Sequence, residues 1–89
     1  MINKSYFILL KRALLKNYVD TSVLIEIRGT IQTKLFITNS KVTICKNKVI
    51  ISNENIDFSI DFVVMKEIVL DDELRIKIIY SDFEIILEI

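Results

Sequence analysis

The 89-residue chain has no histidine, no proline and no tryptophan, and it carries one glycine and one cysteine. Each absence closes a chemical route. Without histidine there is no usual general base near neutral pH and no Ser-His-Asp or Cys-His relay, and the commonest zinc ligand is gone. A lone Cys45 excludes an intrachain disulfide and a thiolate cluster, and it suits a reducing compartment; on a strand it reads as a small hydrophobe. A single glycine rules out the G-x-x-x-x-G-K-[ST] and G-x-G-x-x-G phosphate loops. Long apolar runs are missing too. The stretch from Tyr6 to Leu10 before Lys11 and Arg12 is too short for a signal-peptide core or a membrane span, so a cytoplasmic chain with no membrane role is expected.

Carboxylates are the remaining catalytic candidates, and their spacing is poor for chemistry. Asp71, Asp72 and Glu73 are consecutive and diverge in a turn, whereas hard cations need converging oxygens. Asp57 and Asp61 share a strand face four residues apart, about 13 Å by the strand rise, too far to share a proton. The expectation is a non-enzymatic protein with no cofactor and no metal.

What the chain has in excess is apolar surface and segregated charge. Hydrophobic residues make up 52%, above the about 45–50% of ordinary domains. One domain spanning residues 1–89 cannot easily hide so much, which points to self-association. Residues 1–48 hold nine bases and two acids, and residues 49–89 hold three bases and ten acids. Such halves either form a basic face for an anionic partner or meet each other within or between chains.

A helix is expected over about 5–18, capped by Asn3 or Ser5, with Asn17 suited to a left-handed C-terminus. At 100° per residue Tyr6, Phe7, Leu10, Ala13, Leu14 and Tyr18 share a face that docks on a sheet. Ile8 and Leu15 lie one above the other on the side of Lys11 and Arg12, so the helix is apolar beyond one docking face. Strands are expected at about 22–28, 31–38, 41–45, 49–52, 56–64, 74–80 and 83–89. Ile56, Phe58, Ile60 and Phe62 alternate with Asp57, Ser59 and Asp61, the period of a half-buried strand. Lys46-Asn47-Lys48 connects a hairpin whose loop has two or three residues. Val63–Leu70 fits a strand continuation or a helical turn, and its β-branched content favours strand. Asp71-Asp72-Glu73 reads as a turn.

The last hairpin can be paired explicitly. With Ser81-Asp82 as a two-residue turn, Tyr80 stands opposite Phe83, Ile78 opposite Ile85, Ile76 opposite Leu87 and Leu74 opposite Ile89. The other face pairs Arg75 with Glu88 and places Lys77 between Glu84 and Glu88, leaving Ile79 and Ile86 apolar on a charged side. One register yields both a core face and a charge-matched face.

Two β runs flank Arg28-Gly29-Thr30, and Gly29 concentrates the freedom for positive φ at this bend. The whole reads as mainly β with an N-terminal α-helix, a single small antiparallel meander of six to seven strands forming a strongly bent sheet or a small barrel. The order from Leu15 to about Phe36, with Gly29 in the first β-turn, resembles the Sm-like and SH3-like small barrels. Asn39 is a loose counterpart of the Sm loop residues, and the later Arg-Gly signature has no equivalent. The resemblance implies a barrel and, if Sm-like, a ring oligomer that binds RNA.

Two functional readings follow. In the first, the chain is a protein-binding or regulatory module, with the size of a phage- or plasmid-type inhibitor, that self-associates and presents Ile8, Leu15, Leu24, Phe36, Ile79 and Ile86, apolar residues on faces otherwise charged. In the second, Lys11, Arg12, Lys16, Arg28 and Lys34 in the basic half contact nucleic acid.

Overall fold

The computed structural model describes residues 4–72 and 74–89, with side chains at 7–70 and 74–89. Helix α1 (Lys4–Asn17) precedes strands β1 (Val23–Arg28), β2 (Thr33–Ile37), β3 (Lys41–Ile44), β4 (Lys48–Ser52), β5 (Asp57–Asp61), β6 (Glu67–Asp72), β7 (Arg75–Ile79) and β8 (Glu84–Glu88). Five strands form one antiparallel sheet in the order β2-β1-β8-β7-β6, and β3-β4-β5 form another. The protein is mainly β with an N-terminal helix, and the sheets do not close into a barrel. A meander would pair strands in chain order throughout. Here β1 pairs with β8 from Leu24↔Glu88 to Arg28↔Glu84, joining the first strand to the last, while β3–β5 leave as a separate three-stranded unit.

The period-2 pattern supplies the two inner faces. Val23 and Ile25 from β1, Ile76 and Ile78 from β7, and Ile85 and Leu87 from β8 are buried in the same apolar cluster as Val49, Ile51 and Ile60 of the smaller sheet. The helix closes that cluster, touching β3 and β6. Its docking face is the one its periodicity predicts, with Leu10, Ala13 and Leu14 buried and Phe7 edge-on to Phe62 at 4.3 Å between ring centroids. The Tyr6 side chain lies outside the described residues.

Beyond the helix, Tyr18 is fully buried and its hydroxyl donates to the carbonyls of Leu74 (3.0 Å) and Leu87 (3.1 Å). A buried phenol needs such a partner, and this one ties the helix exit to the last hairpin. Ser40, also fully buried, donates its hydroxyl to the Tyr18 carbonyl and accepts from the Thr21 amide at 3.2 Å. Backbone bonds Asp20 N to Ser40 O (2.7 Å) and Ser40 N to Thr21 O (3.0 Å) complete this clasp. Among the described residues the left-handed ones are Asp20 (φ 55°) and Asn39 (φ 51°). So the reversal falls on Asp20, three residues beyond the Asn17 expected, on residue types that tolerate it best after glycine.

Gly29 has no positive φ. Its role is steric, because a Cβ there would lie 3.0 Å from Phe83 Cβ and 3.2 Å from the Asp82 carbonyl oxygen. The β1–β2 loop rests on the turn of the last hairpin, and a Cβ there would push that turn back by a few tenths of an ångström.

The last hairpin has the expected register, Arg75↔Glu88 through Ile78↔Ile85, with Tyr80 N donating to Phe83 O at 2.9 Å. The β3–β4 loop has two residues, since Ile44 pairs with Val49 and Cys45 N donates to Lys48 O at 2.8 Å. Three boundaries move. Strand β2 starts at Thr33 and leaves Ile31 in an exposed loop. Strand β5 stops at Asp61, whose carboxylate accepts from Val63 N at 2.8 Å and turns the chain. The expected turn at Asp71-Asp72 is instead strand, because Asp72 pairs with Arg75 across a register shift after Leu70; Glu73 lies outside the described residues.

Candidate functional site

The outer face of the five-stranded sheet can be read in rows across the registers. One runs Phe36, Leu24, Glu88, Arg75; the next runs Lys34, Glu26, Ile86, Lys77, Val69; the third runs Arg28, Glu84, Ile79, Glu67. Opposite charges stand side by side, with Arg75 to Glu88 and Lys77 to Glu84 each at 3.8 Å. Arg28 donates twice to the Glu26 carboxylate, at 3.1 and 3.2 Å. That hydrogen bond holds the Glu26 carboxyl below its usual range and the Arg28 guanidinium above its own.

Four of the five apolar residues of this face, those singled out from the sequence, fare differently. Phe36 is 57% exposed, Leu24 beside it and Ile79 are half-buried, and Ile86 is 3% exposed. Ile86 therefore offers no open contact surface, contrary to the reading of its sequence pattern. It sits on the central strand, with Glu26 and Lys77 directly opposite it on the two neighbouring strands.

On the helix, Ile8 (53% exposed) and Leu15 (51%) stand on the side away from the core, with Leu9 also exposed. Arg12 lies between them at helical spacing and is exposed, as is Lys16. Lys11 lies back over the Phe7 ring, its Nζ 3.9 Å from the centroid, a cation–π contact.

The five basic residues of the nucleic-acid reading are not brought together. Arg28 and Lys34 occupy the outer face of the large sheet, whereas Lys11, Arg12 and Lys16 ride on a helix packed at the core side. Periodicity could not reveal this, since it assigns residues to faces of an element and not elements to sides of a molecule. The segregated charge of the sequence is instead interleaved by strand pairing. Basic β4 lies against acidic β5 with Lys48 opposite Asp61, and Arg28 of β1 stands opposite Glu84 of β8.

The smaller sheet offers little chemistry. Asp57 and Asp61 face Ser52 and Lys48 across the register. The phenol of Tyr80 donates to the Asp61 carbonyl at 2.9 Å, and burial together with the Asp61 charge pushes its pKa up to about 12. A shallow cleft of about 180 Å³ lies between the β2–β3 and β4–β5 turns, lined by Thr38, Asn39, Lys41, Asn53, Glu54 and Asn55. Its central amide is occupied, because Asn53 donates to Thr38 O and accepts from the amides of Asn55 and Ile56. Among the described residues no three acids or cysteines converge on one point, and no helix is long and apolar enough to cross a membrane.

No family model, no curated protein and no solved structure matches this chain.

Proposed function

We propose that this chain is a non-enzymatic protein-recognition module that self-associates and engages a second protein through the outward face of α1. The observation that carries this reading is the helix with two apolar sides. Leu10, Ala13 and Leu14 satisfy the core, yet Ile8, Leu9 and Leu15 remain about half exposed on the other side. A helix needed only to cap a core would be polar there. With Arg12 set between Ile8 and Leu15, the face suits a protein surface that offers apolar contacts to the two side chains and an acid between them. The separation of these five basic residues onto two sides favours the protein reading over a nucleic-acid stripe.

The test places a photo-crosslinking side chain at Leu15 in the native cell and identifies the adduct by mass spectrometry. One dominant protein adduct is expected, and it is lost when Ile8→Asp is added and kept when Phe36→Asp is added. An adduct unaffected by Ile8→Asp refutes the helix face. Salt-dependent retention on RNA that is abolished by Arg12→Glu would replace the reading with nucleic-acid binding.

A further inference from the structure

Two sheets have four edges, and an edge strand exposes backbone donors and acceptors that another strand can take. Three of these edges are blunted. Strand β6 carries Glu67, Asp71 and Asp72 and a register shift after Leu70. Strand β5 is framed by exposed Asp57 and Asp61, and β3 has only four residues, beginning at Lys41. Strand β2, Thr33-Lys34-Leu35-Phe36-Ile37, pairs with β1 without a break, contains one charge, and leaves Phe36 57% exposed beside Leu24. It is the edge with the least built into it to turn another strand away.

We infer that β2 is the self-association surface, pairing antiparallel with β2 of a second copy about a two-fold axis through Leu35. This rests on the reading that the chain self-associates and names where it does so. The occupant follows from the strand's own sequence. Because side chains alternate between faces, a two-fold pairing must set odd residues against odd and even against even. An axis at Leu35 places Leu35 against its own copy on the core side and Thr33 against Ile37. On the outer face it places Lys34 against Phe36 twice, so each lysine meets a ring, and neither meets the other lysine. The chain already makes this kind of contact in Lys11 over Phe7 at 3.9 Å. Glu26 stands beside Lys34 in the β1 register with its carboxylate bound by Arg28, so the opposing rings are what the seam offers the two lysines.

The pairing makes one continuous ten-stranded sheet, and it is isologous, so it uses up both β2 edges and stops at two copies. The outer edges of the pair are then the two β6 strands, which carry the acids and the register shift. A strand pair of five residues a side lies below the about 1,200 Å² of tight complexes. The dimer therefore exchanges with monomer, and its mass depends on concentration.

Light scattering on the intact chain from about 1 μM to about 500 μM decides the matter, a range chosen to bracket weak association. The mass should rise from the 10.4 kDa of the monomer to twice that and no further. Phe36→Lys, which sets lysine against lysine at both outer-face positions, should weaken association about 30-fold or more, with an unchanged circular dichroism spectrum. Ile8→Asp with Leu15→Asp should leave the mass curve as it is. For the register, in a Cys45→Ser background, Lys34→Cys mixed with Phe36→Cys should give the mixed disulfide in preference to either symmetric one. A parent that stays monomeric overturns both this inference and self-association, leaving the edge to an extended segment of another protein. A dimer that survives Phe36→Lys, or that is lost in the helix variant, overturns only the β2 assignment. Growth beyond two copies refutes the closed two-fold.

Discussion

Ile86 and Phe36 are alike in sequence and unlike in structure. Both are apolar residues on the outward face of the same sheet, flanked along their strands by charged or polar neighbours. Yet Ile86 is 3% exposed and Phe36 57%. The difference lies in strand position. Ile86 on β8 has β1 on one side and β7 on the other, with Glu26 and Lys77 as its cross-strand neighbours, residues whose long stems can cover apolar surface. Phe36 on β2 has a neighbour on one side only. An outward apolar residue on a central strand is thus part of a second, thinner core roofed by ion pairs, while the same residue on an edge strand is open surface.

This comparison can be broken by stability measurements, made dilute enough to avoid association. Ile86→Ala should cost about 2 kcal/mol in urea unfolding, the low end for a buried isoleucine because flexible side chains can settle into the space. Phe36→Ala should cost less than about 1 kcal/mol, in keeping with its exposure. Equal losses would mean that β8 and β2 do not differ as described.

The other face of β8 offers the next largest effect. Tyr18 reaches the Leu87 carbonyl from the core side, so Tyr18→Phe strips a donor from buried acceptors at no change in shape. A loss of about 1–2 kcal/mol is expected, read from the same unfolding curves. A neutral result would show that the helix exit is held by packing and the Ser40 clasp alone.

The smallest effect concerns the ion pair in the row next to Ile86. In a double-mutant cycle, Arg75→Glu with Glu88→Arg should recover a few tenths of a kcal/mol to about 1 kcal/mol of what the single changes lose, the range of an exposed cross-strand pair. No coupling would mean that the two side chains act only as apolar cover.

Much of this fold is legible without coordinates, and the reason is locality. The register of the last hairpin follows from a two-residue turn and alternation, because pairing across Ser81-Asp82 gathers eight apolar residues on one side and the charges on the other, with Ile79 and Ile86 left among the charges. The docking face of α1 follows from 100° spacing for the same reason. Gly29 marks the limit of such reasoning. A glycine at a bend reads as positive φ, but the constraint comes from Phe83 and Asp82, more than fifty residues away, and the left-handed positions fall on Asp20 and Asn39. Likewise, Ser40 reads as an ordinary turn residue and becomes a fully buried clasp because Tyr18 and Thr21 arrive beside it.

The sequence by itself determined the class of the protein, its one helix, most of its strands and the charge pairing of its last hairpin. Each depends on residues near one another in the chain, where turn geometry and side-chain period leave few choices. The tertiary structure alone decided that β1 closes on β8, that β3–β5 form their own sheet, and which strands are edges. Those are long-range pairings among strands of similar composition, and nothing local distinguishes one partner from another. Edge or centre is what separates Phe36 from Ile86, and it is why β2 is the strand where a second copy is expected to pair.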